Sequence, residues 1–254
     1  MYLLYLNTMK PILILIIIVI LSSSAVAQYD LGATMMIAQN NLMYNNTIQS
    51  FVNQNIINDI AYSKTGDKKK DNRKTKPPHI DQTFLFNPST AISQNVQQDI
   101  INRIKLKNQQ VGANVEKGLK FDKPFPRYVT YLKRLGLDVQ HNYDDAFTAY
   151  LLGMWRIANL TTDPSASQIQ AVRQQVALCL DITKWTDTKK QEAAEYMIYD
   201  LIFANEAYEG SRNANDRKRM QQDADAVHAR FLRENNLNLR HMRISENGLT
   251  VVRK

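Results

Sequence analysis

The amino-acid sequence predicts an all-α protein: a bundle of about five helices preceded by a separate N-terminal amphipathic helix. Apolar residues recur every three or four positions through most of the second half of the chain, which is the period of one helix face. Capping residues and prolines stand where these periodic segments begin. The connections between the segments are short, so we expect neighbouring helices to pack antiparallel.

The N-terminus has the three parts of a secretory signal peptide: a positive residue, an apolar run and a small-residue cleavage site. Lys10 precedes the apolar run over residues 11–21, and the tripeptide AVA precedes Gln28. The run is shorter than the ~20 residues of a membrane-spanning helix, which makes an uncleaved anchor the less favoured alternative. We expect cleavage after Ala27 and export to the periplasm or the medium, with Met9 as an alternative start of translation.

Residues 28–62 predict one amphipathic helix. Ile48, Val52, Ile56 and Ile60 recur every four positions, as the residues on one helix face do. The many asparagines lower the intrinsic helix tendency, because their side chains compete for backbone hydrogen bonds. We therefore expect this helix to need a partner surface, either on the main domain or on another molecule.

Residues 63–83 predict a basic, disordered linker. The chain carries a net charge of +8, and residues 64–76 hold seven basic and two acidic side chains, so most of the excess lies in this polar segment. Such a run can attract anionic lipid headgroups or envelope polymers, at ~1 kcal/mol per basic residue near an anionic surface. A tether that binds nothing is the equal alternative. Nucleic acid is disfavoured, because export is expected and no aromatic residue lies among the lysines. The candidates for anion or partner contact are Lys68, Lys69, Lys70, Arg73 and Lys74.

Residues 84–254 predict the helical domain, which is large enough to bury one core without disulfides. The only cysteine, Cys179, excludes an internal disulfide, and its apolar neighbours predict a small buried hydrophobe rather than a nucleophile. Residues 237–252 predict an extended strip packed on the bundle, with Asn247-Gly248 as a turn. The predicted helix starts are Asn87-Pro88, Pro126, Asn142, Asp163-Pro164, Thr186 or Asp187, and Asn213 or Asn215.

The stretch HNYDDAFTAYLLGMWRIAN, residues 141–159, permits two interpretations: an acid/base site with aromatic walls, or the start of a buried helix. With Asn142 as the cap, Asp144 and Asp145 fall in the first turn, where carboxylates meet the positive end of the helix dipole. A general-acid pair needs carboxylates in contrasting environments, of which the sequence gives no sign. We favour a capped first turn followed by core residues, with His141 exposed before the cap.

Two other patterns of acidic residues offer alternatives. Asp225 and His228 are spaced to touch one metal ion, but a zinc site usually takes three or four ligands, so we expect no metal. Four glutamates on the fifth predicted helix form two same-side pairs, which permits a glycan hydrolase with paired carboxylates. A charged outer face is the favoured interpretation. The four are Glu192, Glu195, Glu206 and Glu209.

Arg217, Lys218 and Arg219 begin the sixth predicted helix. Positive charge is mildly unfavourable there because of the helix dipole. These side chains are therefore candidates for contact with an outside anion or partner, or with Asp216 or Asp223 of the same helix. The sequence has no phosphate-binding glycine loop, no dinucleotide fingerprint and no nucleophile elbow, so we assign no catalytic residue and expect no cofactor.

Three stretches resemble an uncharacterised family of exported bacterial proteins, known as a domain of unknown function. They are FNPSTAISQ (86–94), LGLDVQHNYDDAFTAYLLGMWRIAN (135–159) and LNLRHMRISENGL (237–249). The resemblance covers about residues 84–250 and implies a small helical bacterial protein with a signal peptide, but no activity. Residues 90–92 depart from the family pattern, which often has an arginine there. The matching residues are Phe86, Pro88 and Ser89 of an F-x-P-S start, and Tyr150, Leu151, Trp155 and Asn159 of a Y-L-x-x-x-W-x-x-x-N helix.

The sequence thus favours a non-catalytic exported protein that binds an envelope or extracellular protein or polymer. The enzymatic alternative is hydrolysis of an envelope glycan by carboxylates of the fifth predicted helix. A third possibility is weak association with an anionic membrane surface through residues 35–76, which include the basic linker.

Overall fold

The computed structural model describes residues 54–62 and 82–251. Within these residues the fold is all-α, as predicted, with eight α-helices and one two-stranded antiparallel sheet. The sequence predicted fewer helices: about five in the bundle and one at the N-terminus. The helices are α1 (Gln54–Tyr62), α2 (Thr90–Lys107), α3 (Gln109–Phe121), α4 (Pro124–Arg134), α5 (Tyr143–Ala158), α6 (Ala166–Cys179), α7 (Asp187–Asn213) and α8 (Arg217–Asn235), and the strands are β1 (Met242–Ser245) and β2 (Gly248–Val251).

Helix α5 forms the centre of the core. It is buried on almost every side because α6, α7 and α8 all pack against it. Asn142 is its cap, as predicted, and the Asn142 side chain accepts a hydrogen bond from the Asp144 N–H at 3.1 Å. The aromatic side chains of Phe147 and Tyr150 are fully buried, which confirms the prediction that residues beyond the first turn are core.

Helix α7 begins where predicted but runs further. Thr186 caps it by accepting from the Lys189 N–H, and the helix continues past Gly210 to Asn213. The cap of α8 is Asp216 rather than a preceding asparagine, because the Asp216 carboxylate accepts from a backbone N–H of the first turn at 2.9 Å. The observed cap therefore lies one residue after Asn215, the later of the two predicted caps.

Two helix starts were predicted wrongly because the polar residue before the proline makes a tertiary contact instead of a cap. Ser89 precedes α2 and Ser165 precedes α6. Asn87 instead donates two hydrogen bonds to the Asp187 carboxylate at the start of α7. Asp163 instead forms an ion pair with an arginine of α5. Both N-termini therefore lie two residues beyond the X-Pro pair.

Helix α4 has the predicted end but an earlier start. Gly136 follows it with φ +83°, a conformation that favours glycine, and the Gly136 N–H donates to the Lys133 carbonyl at 3.0 Å. The helix begins at Pro124 rather than Pro126. Either proline suits a first turn, because its missing N–H would have had no acceptor within the helix.

Helix α3 was not predicted from the sequence. Gly112 and Gly118 interrupt its helical signal, since glycine costs about 1 kcal/mol relative to alanine inside a helix. The structure shows why Gly112 is there: a Cβ atom at this position would lie 2.7 Å from the backbone of Lys105. The glycine therefore permits α2 and α3 to approach closely at this point.

Helix α1 packs on the main domain, which is one of the two partner surfaces that the sequence left open. Ile57 and Ile60 are completely buried, and α1 contacts α6 and β2. The remainder of the predicted N-terminal helix, residues 28–53, lies outside the described residues. So do the predicted signal peptide and nearly all of the predicted linker.

The C-terminal tail forms a hairpin on the bundle, in agreement with the extended strip that was predicted. Strand β1 pairs with β2 through a two-residue turn, and Gly248 opens β2 with φ +96°. The Trp155 indole donates to the Met242 carbonyl at 3.0 Å. The Asn159 amide donates to the Leu239 carbonyl at 3.2 Å. Two residues of the Y-L-x-x-x-W-x-x-x-N pattern thus hold the tail in place.

None of the helices in residues 54–62 and 82–251 combines the length and the apolar character that crossing a membrane requires.

Candidate functional site

A polar cleft lies between α4, the C-terminal end of α5 and the second half of α7. Its volume is about 270 Å³, and charged and aromatic side chains surround it. We call it the Arg156 cleft. It is lined by Arg127, Tyr128 and Tyr131 of α4, Arg156 of α5, Asp163 of the following loop, and Asn205, Glu206, Glu209 and Arg212 of α7.

Arg156 forms the floor of the cleft. Although its guanidinium is buried, it has a partner on nearly every side: Nη1 donates to Glu209 at 3.0 Å, Nη2 donates to Asn205, and Nε lies 3.2 Å from Asp163. The guanidinium also lies 5.3 Å from the centre of the Tyr208 ring. A buried cation needs such partners to offset its desolvation, so this set holds Arg156 in one orientation.

The mouth of the cleft has two further arginines, each paired with one glutamate of α7. Arg127 donates to Glu206 at 2.7 Å, and Arg212 donates to Glu209 at 2.5 Å. More than half of the Arg127 and Arg212 side-chain surfaces are exposed to solvent. Both guanidinium groups can therefore present further N–H donors to a molecule in the cleft.

Tyr128 and Tyr131 form the aromatic wall of the cleft, with ring centres 5.4 Å apart. Burial raises the pKa of Tyr131 to about 12, and the nearby Asp163 carboxylate, which accepts a hydrogen bond from the Tyr131 hydroxyl, adds to this effect. Burial raises the pKa of Tyr128 as well. Both phenols therefore remain protonated near neutral pH and act as hydrogen-bond donors, not as bases.

A small, mostly apolar pocket adjoins the cleft and shares Tyr128, Tyr131, Arg156 and Asp163 with it. Its volume is about 30 Å³. A space of this size holds one water or one methyl group. We call it the inner pocket. Its apolar lining consists of Leu132, Leu135, Leu137, Ala149, Leu152, Pro164 and Ile169.

Glu206 and Glu209 lie in this cleft, as the glycan-hydrolase alternative requires, but each is bound by a guanidinium. Arg127 holds Glu206, and Arg156 and Arg212 hold Glu209. The arrangement can orient a polar ligand by hydrogen bonds. Both glutamates thus have the same kind of partner, whereas glycoside hydrolysis uses two carboxylates in contrasting surroundings.

The other two glutamates of α7 lie elsewhere. Glu192 is exposed. Glu195 is buried and accepts hydrogen bonds from the Ser93 hydroxyl at 2.6 Å and the Gln191 amide at 2.8 Å. Burial raises the pKa of Glu195, while those two hydrogen bonds lower it. Glu195 connects α7 with α2, and its burial leaves no room for a substrate.

Asp144 and Asp145 have the predicted place in the first turn of α5, but both are buried, which the sequence did not indicate. Arg173 of α6 lies between them, with its Nε 2.6 Å from Asp145 and 3.5 Å from Asp144. Asp145 also accepts from the Asp138 N–H at 2.8 Å. His141 is exposed, as predicted, and contacts Asp138. The two aspartates join α5 to α6 and the preceding loop, out of reach of a substrate.

Asp225 and His228 form no metal site with a third ligand: in residues 54–62 and 82–251 no cluster of three or more His, Cys, Asp or Glu side chains could hold an ion. Arg240 pairs with Asp225 instead. Burial lowers the pKa of His228, and the Arg240 charge lowers it further. Cys179 lies at the end of α6 and packs on the core. It is half-buried, whereas the sequence predicted a buried residue.

The basic residues selected from the sequence are not in the Arg156 cleft. Arg217 and Lys218 are exposed at the start of α8, and Arg219 is half-buried. Burial raises the pKa of Asp223, and the Arg219 charge partly offsets this effect. The structure therefore supports the contact within α8 that was one of the predicted alternatives for Arg219. The linker candidates Lys68, Lys69, Lys70, Arg73 and Lys74 lie outside the described residues.

Sequence reasoning missed the arginines that shape the cleft, Arg127, Arg156 and Arg212. One signal was present: Arg156 interrupts the apolar stretch YLLGMWRIAN, and a charge inside a buried helix must have partners. Those partners lie 7 to 53 positions away in the sequence. The sequence does not show how α5 and α7 pack against each other, so the partners of Arg156 could not be identified from it.

The chain matches no protein-family model, and no curated protein and no solved structure matches it. The resemblance to an exported bacterial family therefore remains a prediction.

Proposed function

We propose that this is an exported, non-catalytic binding protein of the bacterial cell envelope, and that the Arg156 cleft is its binding site. The observation that carries this proposal is the cleft itself. It is concave, it has a fixed buried guanidinium as its floor, and it exposes both donors and acceptors at its mouth. A pocket with a few convergent polar groups is the usual form of a small-ligand site.

The pairing of charges in the cleft supports binding over catalysis. Three guanidinium groups face three carboxylates, Asp163, Glu206 and Glu209, and each carboxylate has an arginine partner. Groups held in this way are preorganised to orient a ligand. A hydrolase would need a carboxylate that is available to the substrate for proton transfer, whereas these three are already engaged by arginines.

Export is the second part of the proposal and depends on the N-terminal sequence alone. The positive residue, the apolar run and the A-V-A site are its support. N-terminal sequencing of protein recovered from the periplasm and the medium would test it. Recovery of a chain beginning at Gln28 is expected. A cytoplasmic protein that keeps residues 1–27 would contradict it.

Binding is tested by co-sedimentation of the full mature chain with the insoluble envelope fraction. Arg127→Gln combined with Glu206→Gln removes both charges of one pair at the mouth of the cleft, and should abolish most of the bound fraction. The matched control combines Arg134→Gln on α4 with Glu192→Gln on α7, both exposed positions that do not line the cleft.

Equal binding by the wild type, the cleft variant and the control would show that the cleft is not the binding site. The glycan-hydrolase alternative has one observation in its favour, the presence of Glu206 and Glu209 in the same cleft. Release of soluble fragments from the envelope polymer by the wild type, and its loss in Glu209→Gln, would support that alternative instead.

A further inference from the structure

We propose that the Arg156 cleft recognises a neutral saccharide bearing an N-acetyl group, with the acetyl methyl in the inner pocket. This inference rests on the proposed function, because it names the chemical class of the ligand that the same cleft would bind. Four properties of the cleft lead to it: its charge balance, its hydrogen-bonding groups, its aromatic wall and its apolar inner end.

The charge balance excludes a strongly charged ligand. Arg127, Arg156 and Arg212 are offset by the three carboxylates that line the same space. A site for an anion such as a phosphate would have guanidinium groups in excess. A site for a cation would have carboxylates in excess. The equal numbers fit a ligand without net charge.

The paired groups suit a ligand with many hydroxyls. A hydroxyl both donates and accepts, so it is best bound between an N–H donor and a carboxylate oxygen. The Arg127–Glu206 and Arg212–Glu209 pairs each place a donor beside an acceptor at the rim, with both arginines more than half exposed. Two adjacent sugar hydroxyls can meet one such pair without leaving a charge unpaired.

The aromatic wall suits a sugar ring. The Tyr128 and Tyr131 rings lie next to each other on one side of the cleft. The C–H face of a pyranose packs against an aromatic ring, while its hydroxyls project sideways towards polar groups. A cleft of about 270 Å³ lies just below the volume range of pockets for drug-sized ligands, which fits one or two sugar rings.

The inner pocket distinguishes an N-acetylated sugar from a plain one. It shares Tyr128, Tyr131, Arg156 and Asp163 with the cleft, the rest of its lining is apolar, and its volume of about 30 Å³ is enough for one methyl group. An acetamido group carries a methyl on a polar amide. Its amide can therefore remain among the polar groups of the cleft while the methyl enters the apolar pocket.

Titration calorimetry on the full mature chain tests the proposal with two matched probes, N,N′-diacetylchitobiose and cellobiose. These disaccharides share their linkage and differ at the acetamido positions. We expect diacetylchitobiose to bind about tenfold or more tightly than cellobiose, the effect of burying one methyl group and bonding one amide. Leu135→Phe, which narrows the inner pocket at a half-buried position, should remove this preference.

A second comparison places the binding in the cleft. Arg127→Gln should weaken diacetylchitobiose binding about tenfold, the cost of one charge-assisted hydrogen bond. Arg134→Gln, on the same helix but outside the cleft, should leave it unchanged. Circular dichroism melting curves of each variant confirm that it is folded.

Five outcomes separate this inference from the proposed function. Tighter binding of diacetylchitobiose than of cellobiose, together with the expected effects of Leu135→Phe, Arg127→Gln and Arg134→Gln, supports the N-acetyl assignment and the proposed function. Equal affinity for the two disaccharides overturns the N-acetyl assignment. Binding of an uncapped dialanine peptide in place of either sugar overturns the saccharide class. If neither sugar binds but the chain still sediments with the envelope through its cleft, the saccharide assignment is wrong and the proposed function stands. If neither sugar binds and the chain does not sediment, both the saccharide assignment and the proposed function are wrong.

Discussion

Asp200 of α7 and Arg230 of α8 form a two-point ion pair in the core, with Arg230 Nη1 2.7 Å from Oδ1 and Nη2 2.9 Å from Oδ2. The Tyr150 hydroxyl of α5 donates to the same carboxylate at 2.7 Å. All three side chains are buried. Three helices thus meet at one polar cluster, whose geometry fixes how they are placed relative to one another.

Removal of one partner from this cluster should be more destabilising than removal of both. Asp200→Leu leaves the Arg230 charge buried without its carboxylate and should cost about 3–5 kcal/mol of unfolding free energy. Adding Arg230→Met to Asp200→Leu should recover much of that loss, since no buried charge remains. Urea unfolding of the two single variants and the double variant measures both effects. Additive losses in the double variant would contradict the expected coupling.

The Asp144–Asp145–Arg173 cluster should make stability fall as the pH rises. Burial and the neighbouring Asp144 carboxylate raise the pKa of Asp145 to about 7. Because the unfolded pKa is near 3.9, the native state keeps a proton that the unfolded chain releases, so this stabilisation is complete below pH ~4 and is lost as the pH rises through ~7.

Asp144→Asn tests this directly, because it removes the like charge beside Asp145. Urea unfolding of the wild type between about pH 5 and pH 8 should show a loss of stability with pH that is smaller in Asp144→Asn. Asp122→Asn, at an exposed position, should leave the wild-type dependence unchanged. Identical pH dependence in wild type and Asp144→Asn would mean that the two aspartates do not share a proton in this range.

Gln175 should be essential for holding the C-terminal hairpin. Its buried side chain accepts from the Leu249 N–H at 2.6 Å and donates to the Leu249 carbonyl at 3.2 Å, so it satisfies both backbone groups of one residue of β2. Gln175→Ala leaves two buried backbone groups without these partners and should cost about 2–4 kcal/mol. Hydrogen exchange of residues 248–251 should become faster. The exposed neighbour Gln174, replaced by alanine, serves as the control; equal exchange in both variants would refute the role of Gln175.

Helix α1 should contribute to the stability of the bundle. Ile57 is completely buried where α1 contacts α6 and β2. Ile57→Ala should cost about 2–5 kcal/mol, the range for a large-to-small change in a core. Asp59→Ala, on the exposed side of the same helix, should have little effect. Thermal melting of the two variants compares them, and an unchanged melting temperature in Ile57→Ala would show that α1 is not part of the cooperative unit.

Truncated forms of this protein should be affected by the loss of α1. A chain shortened to begin at residue 84 would lose α1 and expose the apolar surface of α6 and β2 that Ile57 and Ile60 cover. The shortened chain should aggregate or melt at a lower temperature than a chain that begins at residue 28, so it cannot serve as a control in binding experiments.

The sequence alone determined the fold class, most helix positions and several caps of this protein. Those properties are local: an apolar residue every three or four positions selects one helix face, and caps such as Asn142 and Thr186 bind backbone N–H groups two or three residues away. The extended C-terminal strip followed from the same local patterns. Where a polar residue had a distant partner, as Asn87 has in Asp187, the local rule gave the wrong helix start.

Only the tertiary structure decided which charged residues act together. Arg156 is one helix residue among many in the sequence, and it becomes the floor of a cleft because α5 and α7 pack in a register that brings Asn205 and Glu209 to it. Asp144 and Asp145 have favourable first-turn positions in the sequence, and it is the packing of α6 that buries them beside Arg173. Electrostatic partners depend on distances in space, which a periodic sequence pattern does not contain.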